Sequence, residues 1–196
     1  YAVDNDVKLI ICLDCGIKAH NEISYAKQKG VDFIVCDHHL PSDTLPEAWA
    51  VLDPKRVDSN YPYKELSGCG IGFKLIQAIQ KEKNRPFDEI LNFLDLVAIS
   101  IAADVVPLTG ENRVLAYYGL KVINRCPRVG IEAILSYSKI KPEPNAKLYF
   151  NRELTISDLV FLVGPRINAA GRMESGGKAV ELLKSNSREE VEKIAA

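Results

Sequence analysis

The sequence predicts an α/β fold, a parallel-sheet core with helices on both faces followed by a smaller helical lobe. Three observations carry that expectation. Two apolar runs, Leu9-Ile10-Ile11-Cys12-Leu13 and Phe33-Ile34-Val35-Cys36, have strand character, and a third, Ala48-Trp49-Ala50-Val51-Leu52, follows them. Between the first two, Ala19 to Lys29 reads as a helix closed by Gly30, so strand, helix and strand form a βαβ unit with neighbouring parallel strands. Beyond Ser67 the predicted elements are helices joined by loops. The core is expected over residues 1–125 and the helical lobe over 126–196.

In chain order, each strand ends in chemistry. The first runs into Asp14-Cys15-Gly16 and the second into Asp37-His38-His39. Ligands of open parallel sheets sit at the carboxyl ends of the strands, so Asp14 and the Asp-His-His triplet converge on one side. A lone strand-end histidine is ordinarily a surface residue, but two beside an aspartate favour a site. Asp53, before a proline, reads as a turn former, and His20 as a solvated helix start. Ser67-Gly68-Cys69-Gly70-Ile71-Gly72 is expected as a loop leading into a helix from Phe73 to Lys83. It lacks the preceding strand of a dinucleotide fingerprint and the Lys-Ser/Thr of a P-loop, and its meaning is a helix start whose amides can meet an anion.

Phe87 to Ala103 reads as a long apolar helix or helix-plus-turn, ending at Asp104. That carboxylate is either a cap for the Val105–Pro107 turn or a ligand, and spacing leaves both open. Helices are expected over Asn112–Asn124 and Val129–Ser138, with a linker from Lys139 to Asn151. Thr155-Ile156-Ser157-Asp158 has the form of a capping box. Gly164 to Gly177 reads as a Gly- and Arg-rich loop, in which Arg166, Asn168 and Arg172 are either phosphate contacts or solvated polar groups.

Composition narrows the functional classes. The 196 residues carry 25 basic and 26 acidic side chains, so no global basic field announces nucleic acid. No apolar run reaches membrane-spanning length, and Tyr1 to Asp6 is not a secretory signal. The five cysteines are odd in number and lie mostly in apolar contexts, so reduced thiols and a cytoplasmic location are expected. Cys12 and Cys15 spell C-x-x-C, but on a continuous strand they would face opposite ways, and no second pair completes a zinc site. The chain opens without Met and almost at once enters a strand, as a piece of a longer protein would.

Five motifs occur in order: Leu13-Asp14-Cys15-Gly16, Asp37-His38-His39-Leu40-Pro41, Ser67 to Lys74, Ala103 to Leu108 and Gly164 to Arg172. Together they closely resemble the DHH phosphoesterase domain of the RecJ-type single-stranded-DNA exonucleases. The resemblance implies a two-metal phosphodiesterase using Mn²⁺ or Mg²⁺ and removing nucleotides from single-stranded DNA in the 5′ to 3′ direction, in DNA repair and recombination. It implies Asp14 as a carboxylate bridging both metals, with His38 and Asp104 as ligands of one. His39 would contact phosphate, with Asp37 orienting an imidazole. Arg166, Asn168 and Arg172 would clamp the backbone, with Ser67, Gly68 and Gly70 also at the substrate. The family's upstream Asp-x-Asp and its C-terminal DHHA1-type domain have no counterpart here, since Asp4-Asn5-Asp6 lies in a polar stretch. The 196-residue piece alone is therefore expected to be a poor nuclease. The alternatives are an oligonucleotide or cyclic-dinucleotide phosphodiesterase, or a non-catalytic nucleic-acid-binding module.

Overall fold

A computed structural model describes residues 1–143, 147–173 and 176–195, with backbone only at 170–173 and 195. By its packing the chain divides into two compact units, residues 1–90 with 106–112, and residues 91–105 with 113–196.

The first unit holds a three-stranded parallel sheet in the order β1 (Leu9–Leu13), β2 (Asp32–Cys36), β3 (Ala50–Leu52). Helix α1 (His20–Gln28) is the crossover between the first two strands, and Gly30 follows it at φ 74°. The register pairs Leu13 with Cys36 and Cys36 with Leu52, so all three strands end level. The backbone continues that alignment one residue further. The Asp14 N–H donates to the Cys36 carbonyl at 2.9 Å and the Asp37 N–H to the Leu52 carbonyl at 3.0 Å. Asp4-Asn5-Asp6 belongs to a short 3₁₀ turn (Val3–Asn5) and the residue after it, ahead of β1.

Helix α2 (Gly68–Glu82) packs on β1 and β2. It starts five residues earlier than expected, because Ser67 caps it: the hydroxyl accepts the Gly70 N–H at 3.2 Å. The glycine-rich stretch is thus the first turn of the helix and not a loop before it.

The second unit is helical. Leu94–Ala103 forms α3, apolar nearly all round and buried nearly all round, after a 3₁₀ stretch over Phe87–Phe93 that begins in the first unit. Most of α4 (Gly110–Arg125) and all of α5 (Val129–Ser136) belong to the same unit. A side chain at Gly119 would meet the Leu94 carbonyl at 2.1 Å, so this glycine lets α4 approach α3 closely. Thr155 and Asp158 form the expected capping box at the start of α6 (Ile156–Asp158), whose helix continues as a π segment (Leu159–Val163). Ile123, Ile131, Leu135, Phe150, Leu159, Val163 and Val191 fill the core at 1% exposure or less.

The expected Gly- and Arg-rich loop is instead helix, α7 (Gly164–Met173), with α8 (Gly176–Lys184) and α9 (Arg188–Ala195) after it. Pro165 lies in the first turn of α7, directly after the π segment, where its missing N–H and fixed φ are tolerated. Gly164 packs on Ala103, so its small size serves packing and not chain reversal. No helix among the described residues is long and apolar enough to cross a membrane.

Candidate metal centre

The site is assembled by strand ends. Asp14, the residue after β1, adopts φ 66°, a left-handed conformation that aspartate tolerates better than most side chains and that ends the strand there. Its carboxylate Oδ1 lies 3.1 Å from Nε2 of His38, the second residue beyond β2. His38 is largely buried and Asp14 half exposed, so the pair opens to solvent on the aspartate side. His39 stands next to them, its ring 4.7 Å from that of His38 in an edge-on arrangement. One ligand atom from each of Asp14, His38 and His39 falls within 4.8 Å of the others, a spacing that a single cation can bridge.

Asp37 is the buried anchor of this group. At 1% exposure it would be costly as an isolated charge, yet four donors converge on it. Oδ2 accepts the Ile17 N–H at 2.9 Å. Oδ1 accepts the backbone N–H groups of His38 at 2.8 Å and His39 at 3.3 Å, and lies 2.7 Å from His39 Nδ1. Burial pushes the carboxyl up, but these hydrogen bonds outweigh it and hold its pKa below the usual aspartate value. An ionised Asp37 can only accept at this contact, so Nδ1 of His39 carries the proton there, on a ring that is otherwise exposed.

The start of α2 closes over Asp14. A Cβ at Gly68 would lie 2.0 Å from Asp14 Oδ1, so only glycine permits the approach. The positive end of the helix dipole thereby faces the carboxylate. Ser67 is fully buried and its hydroxyl is spent on the Gly70 amide, so both groups serve the cap.

The remaining sequence candidates lie in the second unit. Asp104 caps the end of α3, its N–H bound to the Ser100 carbonyl at 2.9 Å and its Oδ2 accepting from the Ser100 hydroxyl at 3.2 Å. Arg166 is half-buried in α7 and donates to the Leu162 carbonyl at 2.6 Å, and Asn168 is exposed on the same helix. The backbone of Arg172 continues α7, while its side chain lies outside the described residues.

Two features escaped the sequence reading. Asp53 does form the turn expected of it, with Oδ1 accepting the Lys55 N–H at 2.7 Å. It is also 5% exposed, its Oδ2 has no hydrogen-bond partner among the described residues, and burial raises its pKa, with the nearby Asp37 adding to the rise. Only its place after β3, level with the other strand ends, could have signalled this. The second feature corrects the geometry expected of C-x-x-C. The left-handed Asp14 breaks the strand before Cys15, and Cys15 stays near enough to Cys12 to act on its thiol. Burial and then Cys15 lift the Cys12 thiol to about 11, so it stays protonated at neutral pH. Burial lifts Cys36 likewise to about 11. The donor set is left as carboxylate and imidazole, a hard-to-borderline set that suits Mn²⁺ or Mg²⁺.

Comparison with known proteins agrees with this chemistry. Residues 1–101 match the model of the DHH family, N-terminal domain. The single-stranded-DNA-specific exonuclease RecJ of Bacillus subtilis is 40% identical over 188 residues, 96% of this chain and 22% of that protein. RecJ of Salmonella typhimurium is 38% identical over 200 residues, 96% of this chain and 33% of that protein. The chain thus spans a third or less of the length of these relatives. Among solved structures, RecJ of Thermus thermophilus in complex with Mn²⁺ superposes with a TM-score of 0.80 at 29% identity, over 99% of this chain and 28% of that one. An exonuclease RecJ bound to manganese gives 0.80 at 30% identity, over 99% of this chain and 47% of that one. With its parallel sheet, its Asp-His-His strand end and a family match over more than half its length, this chain belongs to the DHH family.

Proposed function

We propose that this chain is the DHH domain of a metal-dependent exonuclease that hydrolyses the phosphodiester bonds of single-stranded DNA from the 5′ end, acting in the cytoplasm. The observation that carries the reading is the grouping of Asp14, His38 and His39 around one cation-sized position, braced by the ionised Asp37. The RecJ relatives and their Mn²⁺ and Mg²⁺ complexes support it.

In this reading Asp14 and His38 hold Mn²⁺ or Mg²⁺, and Asp104 would be a further ligand, as the family resemblance implies. Divalent ions held there would supply an activated water and neutralise charge developing at phosphorus. The chain's own residues do the rest. Asp37 holds the Nδ1 proton of His39, and a protonated Nε2 on the same ring would donate to a non-bridging phosphate oxygen. The positive end of α2 lies beside Asp14, where added negative charge would otherwise be repelled. Arg166, Asn168 and Arg172 steady the sugar–phosphate backbone, Ser67 and Gly70 shape the α2 terminus and Gly68 keeps it close to the carboxylate.

The test is digestion of a 5′-phosphorylated, 3′-labelled single strand by the full-length protein with Mn²⁺, resolved by length. Stepwise shortening from the 5′ end, absent in Asp14→Ala, is expected. Hydrolysis confined to dinucleotides or cyclic dinucleotides, with long strands untouched, would overturn the exonuclease reading.

A further inference from the structure

Helix α4 presents a face that the proposed chemistry does not use. Arg113, Val114, Tyr117, Tyr118, Lys121 and Arg125 recur at spacings of three and four along it, and all are exposed, the two tyrosines at 55% and 50%. Their opposite neighbours Leu115, Ala116, Gly119, Ile123 and Asn124 are buried, so the stripe is the outward side of a packed helix. The rings of Tyr117 and Tyr118 meet edge-on with centroids 5.2 Å apart. Lys121 Nζ lies 4.4 Å from one ring and 5.5 Å from the other. No acidic residue occurs between Arg113 and Arg125, although acidic side chains outnumber basic ones in the chain as a whole. Among the described residues, no carboxylate pairs with Arg113, Lys121 or Arg125.

We infer that this face of α4 is a stacking platform for single-stranded nucleic acid, separate from the groups that carry out hydrolysis. This rests on the proposed exonuclease reading and adds to it a second grip on the strand. Two water-exposed phenol rings offer π-faces that any base can cover, and three cations with no carboxylate partner among the described residues match the charge of the phosphates running past them. Lys121 reinforces a base laid on either ring, because a cation near an aromatic face also attracts the stacked π-system. From Arg113 to Arg125 the helix rises about 18 Å, the length of roughly five stacked nucleotides. A protein partner suits the stripe less well: its one aliphatic side chain is Val114, and its three like charges would have to be buried unpaired unless the partner were acidic.

The test compares binding of labelled oligo(dT) and of an abasic strand of equal length to the full chain, by fluorescence anisotropy with Ca²⁺ replacing Mn²⁺. Tyr117→Ala with Tyr118→Ala should weaken oligo(dT) binding about tenfold, the value of one stacked base, and abasic binding less than twofold. The paired Tyr→Phe variant should bind as the wild type does, since stacking needs the ring and not the hydroxyl. Lys121→Gln should weaken both strands and lower the log–log salt slope by about 0.7. Hydrolysis of a dinucleotide, too short to span the helix face, should be unchanged in all three variants. Unchanged oligo(dT) binding in the alanine pair, or equal loss on both strands, would overturn the platform while leaving the exonuclease reading intact. A wild type that binds no single strand at all would remove the exonuclease reading, and the platform with it. Should the alanine pair fail to fold, Lys121→Glu decides: a severalfold loss on both strands supports the platform, and none overturns it.

Discussion

Asp37 in the first unit and Asp95 in the second are equally buried, at 1% exposure each, and their carboxyls respond in opposite directions. Burial pushes both up. Asp37 nevertheless ends below the usual aspartate value, because three backbone amides and the His39 ring donate to it. Asp95 stays raised, although Arg128 Nε at 2.6 Å and the Leu96 N–H at 2.7 Å oppose the burial. The contrast teaches what each unit uses its buried carboxylate for. In the helical unit Asp95 ties α3 to Arg128 at the start of α5, a closed pair whose work is structural. In the sheet unit Asp37 is held ionised by amides that the strand ends supply, and it hands that order on to an exposed histidine.

The comparison breaks most sharply at Asp14. Replacing it with alanine should lower phosphodiesterase activity of the full-length protein by about a thousandfold, the loss of several kcal/mol of metal-borne charge stabilisation. Stability should fall by only about 1 kcal/mol, because Asp14 is half exposed while its left-handed backbone disfavours alanine. Steady-state rates and melting curves on the same preparation check both halves.

Next in size is Arg128→Ala, which leaves the Asp95 carboxylate buried without its cation. It should destabilise the protein by about 3 kcal/mol at neutral pH, read from denaturant midpoints, with Mn²⁺ affinity unchanged. A carboxyl whose folded pKa lies above its unfolded value binds its proton preferentially in the folded state. Asp95 therefore costs stability as pH rises above about 4 and through its raised pKa. Losing Arg128 raises that pKa further, so the variant should recover part of its lost stability at pH 5.

Asp37→Asn sharpens the other side of the comparison. It keeps the shape and removes the charge that fixes the His39 tautomer, and metal affinity or activity should fall about 10- to 100-fold. A titration of the His39 ring by NMR should show its Nδ1 proton no longer held.

The smallest effect is at Asp158, where Arg152 first and then Thr155 hold the carboxyl down to about 2. Such a group adds stability above its unfolded pKa near 4, and the contribution is lost as pH falls through the folded value. Arg152 is half exposed, so the gain is well under about 1 kcal/mol after solvent screening. Asp158→Asn should flatten the acid limb of the stability curve between about pH 4 and pH 2.

The comparison also marks what was legible in the residues. β1, β2 and their level ends follow from two apolar runs with a helix between, since that pattern has few other parallel solutions. The approach of Asp14 to His38 was legible for the same reason. The start of α2 was not, because three glycines in five residues argue against a helix; the Ser67 cap and the space demanded by Asp14 decide otherwise. The helix through Gly164 and Pro165 was hidden likewise, since its glycine answers to Ala103 and its proline to a π segment, neither visible in local composition. Asp53 was read as a turn residue and is one, but its burial depends on neighbours distant in sequence. Local pattern thus specified the strands and the candidate ligands at their ends, while tertiary contact specified which glycines turn the chain and which let it pack.

The measurement that meets the central claim most directly is Mn²⁺ uptake by the full-length protein, followed through the electron paramagnetic resonance signal of free Mn²⁺, for wild type, Asp14→Asn and His38→Gln. If the ends of β1 and β2 form the metal centre, the wild type should deplete the free signal and each variant should bind at least about tenfold more weakly. Equal depletion by all three proteins would contradict the assignment of Asp14 and His38 as the metal-holding pair.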